Sequence, residues 1–597
     1  MGHDISLCMI VKNEEENLGR CLKSVQDLVD EIIVVDTGST DKTVEIAKEY
    51  GAKVHYFEWC NDFSAARNES LKYASKNWIL IMDGDDEFCS EDKEKFKNLI
   101  KKDLNEDTIY FFETLNYSGY SVTTTDITIN LNPRLFKNNY GFHYEGEVHN
   151  QLVNYEKDVK GKTYDIRIYH YGYLNKNIVS KDKRNRNITL LREQIKKGED
   201  IKFAYFNLGN EYFALDDKKS ALDNYYKSYN DFDPSTGYAS RLIERIVISN
   251  YTLKDYDKAL EFIEIGTRYY PEFTDLYYLK GLVLKEENSP LLAIKAFEKC
   301  IEIGEPPSVL KSIYGVGGFR PKYELSKIYM DLKEYDTAYK YSVDTIKAKP
   351  DFLVPLYNIC HILKEKKLNI EEIKKIIENF FTDFPREYPI IADLFYMEGD
   401  YETALEYINK SEESGVFSEN LKIFKVKSLL YSGKIDECIK YIDTIDEKNL
   451  YYFQIMMYKS LCFIIKDKYD LALVAINQFN KSNLSEYNRT TLKVYKEMLN
   501  LFTNKNTNVL SEDKTMLDFT PAILQICEVM LINKEFNKFE KTLNLLNLIS
   551  DQSVLLNLGK LYFKYDYKEM AKKEIIRSIK IFEVIDKEGA NILESLL

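Results

Sequence analysis

The densest chemistry in this chain lies in Asp83-Gly84-Asp85-Asp86-Glu87, directly after the apolar run Trp78–Met82. Three aspartates within four residues repel one another. A hard divalent cation such as Mg2+ or Mn2+ relieves that repulsion through carboxylate oxygens, and water and substrate phosphates complete its shell. The competing reading is an acidic surface turn that caps the following helix. Two more polar stretches invite inspection. Asp36-Thr37-Gly38-Ser39-Thr40-Asp41 follows the apolar Ile32–Val35. Asp36 can accept from a donor edge such as a base imide, Gly38 permits a tight turn, and Asp41 or Thr40 can cap the next helix. Asp62-Phe63-Ser64-Ala65-Ala66-Arg67-Asn68 offers Arg67 as a clamp for a diphosphate.

These stretches need a scaffold, and the pattern before residue 200 supplies one. Ile5–Val11, Glu31–Asp36, Lys53–Phe57 and Trp78–Met82 read as strands. Glu14–Leu28, Asp41–Tyr50 (closing at Gly51) and Ala65–Ala74 read as helices between them. Alternation at these lengths predicts right-handed crossovers and a mostly parallel sheet. Continuous apolar runs predict strands covered on both faces. Ligands of such sheets sit beyond the carboxyl ends of the strands, where Lys12-Asn13, Asp36 and Asp83 fall.

Past residue 200 the period changes to helical pairs about 34 residues apart, the spacing of tetratricopeptide repeats. One copy places Tyr205, Leu208, Gly209, Tyr212, Ala221 and Tyr225 on the repeat's sites. Others place Ala259 and Pro271; Tyr277, Gly281, Leu284, Ala293 and Phe297; Leu325, Tyr329, Ala338 and Pro350; and Leu558, Gly559, Tyr562 and Ala571. Residues from about 352 to 550 are degenerate, with Ala404 and Gly433 as markers. Small residues at the Gly and Ala sites allow close helix contact, and several repeats must stack to bury their apolar faces. Gly315-Val316-Gly317-Gly318 follows no apolar strand and precedes Pro321, so it reads as a break between repeats rather than a phosphate loop.

The whole chain of 597 residues is 45% hydrophobic and 30% charged, enough for about three to five domains with large cores. Its net charge of −14 argues against nucleic-acid binding, which needs a basic face. Apolar runs of transmembrane length and a signal-peptide pattern are both missing, and the nine scattered cysteines form no C-x-x-C pair. Reduced thiols and a cytoplasmic location are the expectation. The basic residues Lys176, Lys181, Lys183, Arg184, Arg186 and Arg192 mark a helical connector that can touch phosphate, although a solvated helix face explains them as well.

Ile5–Asn17, Ile33–Thr43, Asp62–Asn68 and Ile79–Glu87 together resemble family 2 glycosyltransferases of the GT-A fold. Asn132-Pro133-Arg134-Leu135-Phe136, Tyr144-Glu145-Gly146-Glu147-Val148-His149 and His170-Tyr171-Gly172-Tyr173 resemble the branch that joins this domain to tetratricopeptide repeats. Flagellin and glycocin glycosyltransferases have related catalytic domains. The resemblance implies that Val11 and Asn13 line the nucleotide pocket, Asp36 reads uracil, and Arg67 faces the diphosphate or base. Asp83 and Asp85, flanking Gly84, would be the Asp-x-Asp pair, with His149 completing a Mn2+ or Mg2+ site. A hydrogen-bonded histidine on the acceptor-side loop is the alternative for His149. The branch commonly reads His-Glu where this chain has His149-Asn150. The general base of inverting transfer therefore falls to Glu145 or Glu147, with Asp86 next in line; solvated loop carboxylates are the competing reading.

The expected architecture is an α/β GT-A domain with a Rossmann-like mixed sheet over 1–175 and a basic helical connector over 176–202. An all-α tetratricopeptide-like solenoid follows, with repeats over 203–351 and degenerate repeats plus a terminal one over 352–597. The expected activity is metal-dependent inverting transfer from a nucleotide sugar, UDP-GlcNAc or UDP-Glc, to a protein or peptide such as flagellin or a secreted peptide. Homo-oligomerisation through the repeats is a further expected use of them. The alternatives are a transferase for cell-surface glycan and a catalytically weak repeat scaffold.

Overall fold

The structure, a computed structural model, describes residues 4–60, 62–102, 104–119, 126–146, 150–174, 180–198, 200–479, 484–503, 505 and 518–596, without the side chains of 173 and 180–183. Two compact units divide the chain, Met1–Ile359 and Cys360–Leu597.

The first unit opens with β1 (Ile5–Val11), α1 (Leu18–Val25), β2 (Glu31–Asp36), α2 (Thr43–Glu49), β3 (Lys53–Tyr56), α3 (Phe63–Lys72) and β4 (Trp78–Ile81). There follow β5 (Asp86–Phe88), α4 (Lys93–Lys102), β6 (Thr108–Gly119), β7 (Ile127–Lys137), β8 (His143–Glu145), β9 (Gln151–Val153) and β10 (Lys160–Leu174). Eight strands form one sheet in the order β3-β2-β1-β4-β7-β6-β10-β5, while β8 pairs with β9 alone. β2 and β4 are buried throughout and β1 nearly so, as continuous apolar runs require. One face packs Leu7, Met9, Val34 and Leu80 under α1, and the other packs Cys8, Ile33, Ile79 and Ile81 against Phe136 and Tyr144.

The sheet is the expected mixed one: four of its seven strand pairs are parallel, and β7 enters antiparallel between β4 and β6. The short link from β6 to β7 permits only that direction, since a parallel return needs a dozen or more residues. Helix α1 starts at Leu18, not Glu14, because Asn13 takes φ 55° and turns the chain first. Asp62 starts α3 at Phe63 by accepting from the Ala65 amide at 3.1 Å.

Helix α5 (Ser180–Lys197) leads into the pairs α6 (Ile201–Ala214) and α7 (Lys218–Tyr229), α8 (Ala239–Thr252) and α9 (Tyr256–Tyr269), α10 (Thr274–Glu286) and α11 (Pro290–Ile303), and α12 (Phe319–Asp331) and α13 (Tyr335–Ala348). Close approach explains the repeat glycines: a Cβ on Gly209 would lie 2.4 Å from the Tyr225 ring, and one on Gly281 2.5 Å from Phe297. Arg184 of α5 donates to Glu211 of α6 at 2.8 Å, and Arg192 donates to Tyr212, so both tie α5 to α6.

The break between α11 and α12 is a loop as expected, but its backbone joins the sheet. Ile129 donates to the Ser312 carbonyl at 2.7 Å, and Tyr314 donates to the Ile127 carbonyl at 3.2 Å. This extends β7 where β4, paired only to Leu135–Lys137, does not reach. Asp275 of α10 accepts from the Ser312 and Ile313 amides at 3.1 and 2.6 Å, and Arg241 of α8 donates to the Ile129 carbonyl at 3.1 Å.

In the second unit, helix pairs continue through the degenerate stretch, among them Tyr388–Met397 with Tyr401–Glu413 and Glu419–Tyr431 with Ile435–Ile442. Tyr431 donates to Glu528 at 3.1 Å and Asn533 to the Leu430 carbonyl at 3.2 Å, so this unit folds back on itself.

Candidate active site

Three stretches converge beyond the carboxyl ends of β1, β2 and β4. Val11 pairs in register with Asp36, and a Cβ on Gly84 would lie 2.9 Å from the Glu14 side chain and 3.5 Å from Val11. The Asn13 amide donates to Ser39 Oγ at 2.9 Å, and Asn13 Oδ1 accepts from the Thr40 amide at 2.8 Å. Asp36, 3% exposed, accepts from the Gly38 and Ser39 amides at 3.0 and 3.1 Å and shapes the turn after β2.

The acidic cluster is braced by cations. Arg67 Nη2 donates to Asp83 Oδ1 at 2.8 Å. Arg134, on β7, donates from Nη1 to Asp86 Oδ2 at 2.8 Å and from Nη2 to Thr114 Oγ1 at 3.1 Å. His170, on β10, places Nδ1 2.9 Å from Asp86 Oδ1 and 3.4 Å from Asp85 Oδ1. One ligand atom each from Asp83, Asp86 and His170 lies within 4.8 Å of the others. Gly172 makes room: a Cβ there would stand 2.2 Å from Asp85 Oδ2 and 2.8 Å from His170 Nε2.

Charge follows from this packing. Burial would raise the Asp83 carboxyl, but Arg67, Arg134 and His170 hold it well below the usual carboxylate range. Burial lifts Asp85 to about 6, and the charges of Asp83, Asp86 and Glu14 add to the rise against the pull of His170. Burial would lower His170, yet its bond to Asp86 and the charges of Asp85 and Asp83 raise it to about 9. The Nε–H groups of Arg20, Arg67 and Arg134 are buried without a hydrogen-bond partner among the described residues.

Residues 6–153 match the family described as Glycosyl transferase family 2, and residues 274–303 match the Tetratricopeptide repeat. The N-terminal domain is a family 2 glycosyltransferase domain. The SPbeta prophage-derived glycosyltransferase SunS of Bacillus subtilis is 29% identical over 288 residues, covering 47% of this chain and 66% of SunS, just under two thirds of that relative. An uncharacterized glycosyltransferase of Rickettsia typhi is 27% identical over 35% of this chain and 73% of its own length. A TPR repeat-containing protein of Synechococcus elongatus is 55% identical over 87 residues, 15% of this chain and 22% of that protein.

Within the glycosyltransferase domain, the fold brings Val11, Asn13, Asp36, Arg67, Asp83, Gly84 and Asp85 to one edge of the sheet. Arg67 is spent on Asp83 through Nη2 and also stands 5.5 Å over the Tyr144 ring. Asp86, expected as a reserve base, has no solvent exposure and is enclosed by Arg134, His170 and the Asp83 amide at 2.8 Å. Glu145, on β8, is exposed and bonded to His143 Nε2 at 3.0 Å and to the Tyr155 hydroxyl at 2.8 Å. Glu147 and His149 lie outside the described residues. His170 and Arg134 had no role assigned from sequence. The available signals were a histidine continuing the buried face of Ile166 and Ile168, and an arginine in an apolar strand that needs a carboxylate partner.

Proposed function

We propose that this chain is a metal-dependent inverting glycosyltransferase that moves a sugar from a UDP-linked donor, UDP-GlcNAc or UDP-Glc, to a protein or peptide acceptor. The observation that carries the reading is the meeting of Asp83, Asp86 and His170 ligand atoms within 4.8 Å, with Asp85 alongside, at the carboxyl edge of the parallel strands. The carboxylate oxygens suit Mn2+ or Mg2+, with the His170 ring beside them, and the space left by Gly172 lets Asp85 and His170 approach. A divalent cation held there would supply positive charge to the leaving nucleoside diphosphate.

The chain's own groups do the rest. Val11, Asn13 and the Asp36 turn line the side where the resemblance puts the uridine. Arg67 and Arg134 fix the carboxylates of Asp83 and Asp86, and their Nε–H groups, which make no hydrogen bond among the described residues, are donors of the kind a diphosphate oxygen accepts from. Glu145 or Glu147 takes the proton from the acceptor's nucleophile as that atom attacks the anomeric carbon. The bond from that carbon to the diphosphate oxygen breaks with its electron pair on the diphosphate. Hydrogen bonds from His143 and Tyr155 hold the Glu145 carboxyl below its ordinary value, so it stays ionised at neutral pH. The repeats support a macromolecular acceptor, since stacked helical pairs serve as extended binding surfaces.

Calorimetric titration with UDP and a UDP-release assay test this. The wild type should bind UDP with Mn2+ and more weakly in EDTA, and Asp85→Asn should lose UDP release and the Mn2+-dependent part of the binding. Equal binding in EDTA, with full activity in Asp85→Asn, refutes the metal role.

A further inference from the structure

We propose that Asn68 is a positioning residue that sets the height of the β8–β9 hairpin above the acidic cluster. The inference deepens the glycosyltransferase reading above and rests on it. β8 and β9 have three residues each and pair only with one another, and a lone two-stranded ribbon is marginal in water. Something outside the ribbon must hold it, and α3 does so. Asn68 Nδ2 donates to the Tyr144 carbonyl at 2.8 Å, and Asn68 Oδ1 accepts from the Tyr144 amide at 2.7 Å. The side-chain amide thus stands in for one rung of a strand ladder on the edge of β8 that faces away from β9. One helical turn earlier, Ser64 Oγ donates to the Gly146 carbonyl at 2.7 Å.

The spacing explains why a helix can grip a strand here. Four helical residues advance about 6 Å, and two strand residues about 6.6–6.8 Å. Positions 64 and 68 therefore come into line with 146 and 144. Arg67, between them on the same helix, holds Asp83 Oδ1 at 2.8 Å and stands over the Tyr144 ring. One rigid helix thereby fixes both the acidic cluster and the strand that bears Glu145 and leads on to Glu147. Besides offering Arg67, the one residue of Asp62–Asn68 read from sequence as facing the donor, α3 acts as a spacer between the donor side and the proton-accepting side.

The effect is on turnover rather than donor affinity. A misplacement of about 1 Å in a reacting geometry costs on the order of 10²-fold in rate. Asn68→Ala should lower the kcat of UDP release from UDP-GlcNAc or UDP-Glc by roughly that factor. Its affinity for UDP with Mn2+ should match the wild type, and the Tyr144 amide should exchange faster with deuterium. Ser64→Ala should shift both readouts in the same direction by less. Unchanged kcat in Asn68→Ala overturns the role, as does a fall in UDP affinity that accounts for the lost turnover. A wild-type chain that neither binds UDP nor releases it from these sugars sinks the glycosyltransferase reading itself, a different outcome from an active wild type with an equally active variant.

Discussion

Replacing Arg134 by methionine is the sharpest test of how the acidic cluster is held. Arg134 is 3% exposed and Asp86 has no exposure, and they meet at 2.8 Å. Arg134 Nη1 also donates to the Ile81 carbonyl at 3.2 Å and lies 4.0 Å from Asp83 Oδ2. Methionine fills much of the volume but takes the arginine partner from Asp86 in a site closed to water, leaving it His170 and the Asp83 amide. Removing one partner of a buried pair costs about 3–5 kcal/mol, whereas neutralising both is often close to harmless. Arg134→Met should thus lose about 3–5 kcal/mol, and adding Asp86→Asn should restore most of it, a coupling of about 2–3 kcal/mol. Urea unfolding followed by tryptophan emission is the assay. Trp59 and Trp78 are the chain's two tryptophans and both lie in the glycosyltransferase domain, so the signal reports that domain and not the second unit. A loss under about 1 kcal/mol in Arg134→Met, or a double variant no more stable than the single, refutes the claim that this pair is a buried, mutually dependent brace.

Gly172→Ala should keep the fold but lose Mn2+-dependent UDP release, since its Cβ would sit 2.2 Å from Asp85 Oδ2; full activity in this variant argues against a crowded metal pocket. At the other end of the sheet, burial would raise the Glu31 carboxyl, but hydrogen bonds from Lys53, Ser6 and Ser75 outweigh it and hold it at about 2. A depressed carboxylate stabilises the fold above its ordinary value near 4.5 and loses that contribution as pH falls toward about 2. Glu31→Gln should therefore be less stable than the wild type at pH 7 and converge with it toward pH 2; a constant gap across that window overturns the assignment.

The parts of the fold legible in sequence were those written in local pattern. The runs Ile5–Val11 and Glu31–Asp36 became strands with those bounds because a doubly covered strand needs an unbroken apolar run. Gly209 and Gly281 marked repeats because the facing ring leaves no room for a Cβ. Asp83-Gly84-Asp85-Asp86 stood out because crowded like charges need partners, which Arg67, Arg134 and His170 supply. His170 was harder to see because it reaches the cluster from β10, 84 residues beyond Asp86, and strand order cannot be read from local pattern. The bond from Arg67 to Asp83 was hidden for the same kind of reason. The arginine's residue type fits a diphosphate, but only the packing of α3 against β1, β2 and β8 reveals that Asp83 already occupies its Nη2.

The pairing of the loop between α11 and α12 with β7 was invisible for a different cause. Strand addition uses backbone N–H and C=O groups, which every residue except proline carries, so Ser312 and Tyr314 show no side-chain signature of it. Yet that addition decides where the catalytic unit ends. Leu115, Ile127 and Ile129 form a small cluster covered by Tyr314, and Glu113 accepts from Ser308 and Lys311 at 2.6 and 2.9 Å. Arg241 and Asp275, one repeat length apart, hold β7 and the added strand respectively. A division near residue 200, natural from composition alone, would strip that cover and leave a long open edge on the strand that also carries Arg134. The repeats are therefore joined to the chemistry through β7: the clasp holds one end of that strand, and the arginine that braces Asp86 stands toward the other. In this chain the early repeats build the catalytic unit as well as following it, which fits the compact unit running unbroken to Ile359.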